Sequence, residues 1–61
     1  MHYQVVKSGE RTINDTLDAL NRLVNENIHN GWTPLGGVSI TNVTVNNELV
    51  FMACQAMTKA R

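Results

Sequence analysis

A single cysteine, Cys54, and a single proline, Pro34, occur in 61 residues, with one tryptophan, one tyrosine and one phenylalanine. One cysteine excludes an intramolecular disulfide and a cysteine-rich metal site. Five basic residues balance five acidic ones, so the chain has no broad electrostatic footprint for nucleic acid or an anionic membrane. No apolar run approaches the roughly 20 residues needed to span a bilayer. The opening Met1-His2-Tyr3-Gln4-Val5-Val6 lacks the basic and apolar regions of a signal peptide. The expectation is a cytoplasmic protein, in the host cytoplasm if a phage encodes it. His2 and His29 show no metal-ligand spacing with Cys54 or with a carboxylate, and no Ser/His/Asp order or paired carboxylate is readable. No catalytic residue, metal or cofactor is expected, and the chain does not read as an enzyme.

The chain does have an unusually apolar segment, Leu49 to Met57. Read as a strand, it points Leu49, Phe51, Ala53 and Met57 one way and Val50, Met52, Cys54 and Ala56 the other, because strand side chains alternate. A chain of this size buries only about 60% of its unfolded surface, and small domains usually add disulfides, a metal or oligomerisation. With room for about one helix, the chain covers one side of that strand. The other side is expected to meet a second copy.

Around this strand the sequence reads as one small α+β domain over residues 1–61, in the order β-α-β-β. His2 to Lys7 forms a first strand, which Ser8 and Gly9 break. Thr12 is a plausible N-cap with Asp15 as its acidic partner. Ile13, Leu17, Leu20, Val24 and Ile28 then fall on one helical stripe, widened by Leu23. Asp15, Asp18, Arg22, Asn25, Glu26 and His29 make the solvated face. Gly31 suits the left-handed position that ends a helix near Asn30. Gly37 to Val45 is β-branched and alternating, and Asn46-Asn47 is a credible two-residue turn.

That turn sets Val45 opposite Glu48, Val43 opposite Val50, Thr41 opposite Met52 and Ser39 opposite Cys54. One side of the hairpin holds Val38, Ile40, Leu49, Phe51 and Ala53. The other holds Val43, Val45, Val50, Met52 and Cys54, and these five are the expected oligomer interface. Placing the third strand centrally, in the order 2-3-1, pairs it antiparallel with both neighbours and lets the helix make one right-handed crossover. Thr58 to Arg61 reads as a polar tail.

Gly31-Trp32-Thr33-Pro34-Leu35-Gly36-Gly37 is the most distinctive local feature. Trp32 with the Gly36-Gly37 backbone and Gln55 could form a platform for a planar ligand. The favoured reading is structural: Gly31 ends the helix, Pro34 turns the chain, Gly36-Gly37 allows a tight start to the next strand, and Trp32 seals the core. Gln55, the one strongly polar residue of the apolar strand, either reads a ligand's amide edge or pairs with backbone or its symmetry mate. Cys54 has no activating base near it in sequence and reads as a small core or interface residue.

Together, Tyr3-Gln4-Val5-Val6, the amphipathic helix, Gly31-Trp32-Thr33-Pro34-Leu35-Gly36-Gly37-Val38 and Gln55-Ala56-Met57 resemble a family of short bacterial and phage proteins, domain-of-unknown-function family 1737. The resemblance implies a compact α+β unit of phage or bacterial origin and brings no catalytic residues. The expected function is that of a non-catalytic homo-oligomeric accessory protein acting on a protein partner. The alternative is a small-molecule, nucleotide-like binder with pockets at subunit interfaces. Expected partners are a second copy, with a dimer as the first expectation, and a host or viral protein; nucleic acid and membrane are not expected.

Overall fold

A computed structural model describes residues 1–60 as a single helix on a three-stranded antiparallel sheet. The elements are β1 (His2–Glu10), α1 (Ile13–His29), β2 (Thr33–Val45) and β3 (Glu48–Lys59). The spatial order is β1-β3-β2, so the apolar strand is central and pairs with both others.

The helix begins where Thr12, in extended conformation, accepts a hydrogen bond from the Asp15 N–H at 3.1 Å. It ends at Asn30, and Gly31 follows with φ of 93°, the left-handed position that glycine fills without steric cost. Asn46 and Asn47, with φ of 51° and 64°, make the β2–β3 turn. Two successive positive values define a type I′ turn, whose twist matches that of the strands it joins. The hairpin register is the expected one, Val45 opposite Glu48 through Ser39 opposite Cys54.

Three boundaries differ from expectation. Ser8 and Gly9 do not break β1, which continues to Glu10 opposite Phe51; the Ser8 hydroxyl donates to the Thr16 carbonyl at 2.8 Å and ties the strand to the helix. β2 starts at Thr33, and Pro34 does not turn the chain but lies in the strand opposite Met57. Gly36, Gly37 and Val38 together face only Gln55, a bulge between two straight segments. Thr58 and Lys59 extend β3 rather than forming a tail, whose last residue, Arg61, lies outside the described residues.

The core sits between α1 and the β1/β3 half of the sheet. Val6, Leu20, Ala53 and Met57 are its buried apolar side chains, with Leu17, Leu23, Val24 and Trp32 partly buried against them. Thr16, not part of the apolar stripe, is fully buried, whereas Ile13 and Ile28 at the ends of that stripe remain 43% and 47% exposed. A small rotation of the helix accounts for Ile28, at the far side of the stripe, whereas Ile13 is exposed as the first helical residue. Gln4 of β1 bonds the Asn27 side chain, and Ser8 bonds the Thr16 backbone, so the Thr16–Asn27 side of the helix leans on β1. At about 100° per residue, Ile13, Leu17, Val24 and Ile28 fall on the other flank, toward β2. Every residue of β2 from Thr33 to Val45 is exposed.

Candidate interaction surface

The sheet has one face under the helix and one open. Register assigns Gln4, Val6, Ser8, Phe51, Ala53, Gln55 and Met57 to the helix side, and burial of Val6, Ala53, Gln55 and Met57 agrees. On the open face, Val43 pairs with Val50, Thr41 with Met52, Ser39 with Cys54 and Leu35 with Ala56. On the same face, Val5 lies opposite Ala56 and Tyr3 opposite Thr58. The five residues singled out from the sequence, Val43, Val45, Val50, Met52 and Cys54, therefore share one face in adjacent cross-strand positions. Val50, Met52 and Cys54 are half-buried by their neighbours, and Val43, Val45, Tyr3, Val5 and Leu35 are exposed.

Two charged residues, Lys7 and Glu48, share this face with its neutral polar groups. Lys7 stands opposite Cys54, and Glu48 lies at the turn end, where its carboxylate meets the Arg11 guanidinium at 2.7 Å. Both side chains of that ion pair are solvent-exposed, so it adds little stability. The cleft beside it is lined by Glu10, Arg11, Asp15, Asn46 and Glu48 with Val45 and Val50. Its carboxylates outnumber its single arginine, a poor match for an anion. A second, shallower cleft lies on the solvated helix face among Arg22, Asn25, Glu26, His29 and Asn30.

The four residues considered for a planar ligand lie apart from both clefts. Gln55 is buried, and its amide nitrogen lies 3.0 to 3.2 Å from the carbonyls of Ala56, Leu35 and Gly36. Its two N–H groups thus fasten the bulge. Gly36, with φ of 73°, and Gly37 have open space where a side chain would be. Trp32 packs on the core at the helix C-terminus, its backbone N–H donating to the Asn27 carbonyl at 2.9 Å. Lys59 Nζ lies 5.6 Å from the centre of its ring, within cation–π range. The structure thus brings Gln55 to Gly36 and holds Trp32 in packing and stacking contacts of its own.

Thr16 was not legible as a special position. Its hydroxyl lies 2.8 Å from the Thr12 carbonyl, 3.0 Å from that of Phe51 and 3.5 Å from that of Glu10, joining the helix to β1 and β3. The only sequence signal was a β-branched polar residue beside a leucine stripe. Among the described residues no cluster of His, Cys, Asp or Glu is arranged to hold a metal ion, and no helix is long and apolar enough to cross a membrane.

Geometry thus defines a class, a one-helix, three-stranded α+β unit with an uncovered apolar sheet face. Compared with family models, curated proteins and solved structures, the chain matches none.

Proposed function

We propose that this protein is a small non-catalytic homo-oligomer, of the bacterial or phage accessory kind that the sequence resemblance implies, which packs two copies through the open sheet face and acts by occupying the surface of a protein partner. The observation that carries the reading is the contrast between a four-residue buried apolar core, Val6, Leu20, Ala53 and Met57, and an uncovered apolar face bearing Val43, Val45, Val50, Met52 and Cys54. Two such faces stack about 10 Å apart in β-sandwiches. Packing them removes Val43, Val45 and Leu35 from water in each copy.

The partner role is supported by what such packing leaves behind. Ile13, Ile28, Val38, Ile40 and Leu49 are exposed, and all of them lie on the helix side, away from the stacked face. A dimer built on the open face therefore still presents apolar surface to another protein. The nucleotide-like alternative at Trp32, Gly36, Gly37 and Gln55 is the weaker reading, because the Gln55 amide N–H groups already bond to carbonyls of their own chain.

Two measurements test the reading. Light scattering should give a multiple of the 6.8 kDa chain mass, reduced by Met52→Lys, which sets a charge in the stacked face; a wild-type monomer would end the proposal. Capture from host lysate should recover a stoichiometric protein that Ile40→Asp fails to retain. Equal retention by wild type and variant would remove the partner role from the helix side.

A further inference from the structure

The open face, taken alone, is a small interface. Three strands about 4.8 Å apart and some ten residues long at about 3.3 Å each give a flat patch of roughly 500 Å². Two copies bury on the order of 1,000 Å², at the lower limit for a specific interface. The sheet also has a free edge.

β2 is an edge strand of 13 residues with no charged side chain. The other edge, β1, carries Lys7 and Glu10, the kind of charge that keeps edges from pairing. Along β2, Pro34 and the bulge at Gly36 to Val38 blunt the first half. Ser39 to Val45 has neither device.

Backbone phase shows what this straight segment offers. A two-residue type I′ turn closes on a hydrogen-bonded pair, here Val45 with Glu48. Alternation then directs the backbone groups of Val45, Val43, Thr41 and Ser39 to β3, and those of Thr44, Asn42 and Ile40 outward. The outward N–H and C=O groups have no partner within the sheet, and Asn42 is the midpoint of the segment.

We propose that the free edge of β2 pairs antiparallel with β2 of a second copy about a two-fold axis at Asn42, joining two sheets into one of six strands. Ile40 then lies opposite Thr44 of the second copy, and Asn42 lies opposite itself. Three such pairs exchange about six hydrogen bonds. An antiparallel edge is self-complementary under a two-fold rotation, as an isologous contact requires. This axis stands normal to the sheet, so both helices fall on the same side, with Val38 and Ile40 of each copy on the floor between them. It is therefore perpendicular to the in-plane axis of face packing. Where the two axes intersect, the two contacts close on a four-chain assembly, a conclusion that also rests on the face reading; the edge contact itself does not.

The test is native mass spectrometry with amide hydrogen exchange on the full chain, as wild type, Asn42→Lys, Asn42→Pro and Met52→Lys. Asn42→Lys sets like charges opposite each other at the axis, and Asn42→Pro removes an N–H that the protomer does not use. Four copies are expected for wild type and two for each variant. The amides of Ile40, Asn42 and Thr44 should be protected in wild type, and those of Ile40 and Thr44 exposed in Asn42→Lys. An equimolar mixture of Asn42→Lys and Asn42→Asp should restore four copies, which distinguishes lost pairing from misfolding. A two-copy wild type unchanged by Asn42→Lys but split by Met52→Lys overturns the edge contact and keeps the face. A two-copy wild type split by Asn42→Lys and untouched by Met52→Lys keeps the edge and removes the face. Rapid exchange at all three amides overturns the edge contact whatever the mass.

Discussion

The Thr16 hydroxyl reaches the Phe51 carbonyl at 3.0 Å across 35 positions of sequence, and this contact fixes the helix to the central strand. Thr16 is fully buried, so its loss removes a hydroxyl donor from between the helix and the sheet. Thr16→Val keeps the volume and removes the donor. It should cost about 1–3 kcal/mol in urea unfolding, whereas Thr16→Ser, which retains the hydroxyl, should cost less. Equal losses for the two would assign the role of this position to packing alone.

Gln55 performs the corresponding task for the bulge. Gln55→Met keeps the length and leaves the Leu35 and Gly36 carbonyls without this donor, for an expected loss of about 1–3 kcal/mol. Gln55→Glu should be worse at neutral pH, where a buried carboxylate faces carbonyl oxygens, and should recover on acidification as the protonated acid regains one donor. Thermal unfolding at two pH values reads this directly, and a Gln55→Glu melting temperature that did not rise toward acid pH would contradict it.

The two neighbouring glycines should respond differently to alanine. Gly36 has φ of 73°, a conformation that costs an L-residue roughly 1 kcal/mol or more, although nothing crowds the site. Gly37 has equally open surroundings and no positive φ. Gly36→Ala should therefore lower stability, and Gly37→Ala should leave it unchanged or raise it by about 0.4–1 kcal/mol through the unfolded chain. The check is a pair of denaturation curves measured side by side.

At the β2–β3 turn, Asn47 adopts φ of 64°. Asn-Gly is the preferred pair for this turn type, so Asn47→Gly should stabilise the protein by several tenths of a kcal/mol. Destabilisation would show that the Asn47 side chain contributes something beyond its backbone conformation.

Much of this architecture was readable from local chemistry. Thr12, Gly31 and Asn46-Asn47 each carry a backbone requirement that one or two residues express, and the apolar length of Leu49 to Met57 placed β3 in the middle. What escaped was set by distant partners. Ser8 and Gly9 resemble a break until Thr16 accepts from the serine, and Pro34 resembles a turn until β3 supplies a neighbour for an edge position that needs no N–H. The apolar stripe of α1 gave the correct helix but not its rotation, because Gln4, Asn27 and Ser8 tilt the buried side toward Thr16. The five residues of the open face were legible because strand alternation and turn type together fix their side of the sheet. The state of the β2 edge was less so, since it depends on which backbone groups the hairpin leaves over.

The central strand is also the last of the three to be synthesised. β1 and β2 are not neighbours, and each has β3 as its hydrogen-bonded partner within the protomer. While the nascent chain is shorter than this segment, both earlier strands are without a sheet to join, and the helix has only β1 beneath it. A ribosome stalled before Leu49 would hold a chain with no hairpin, and a stop codon there would remove both ladders together, not merely one strand of three. Assembly of this fold therefore waits on β3, whose arrival through the Asn46-Asn47 turn supplies both ladders at once.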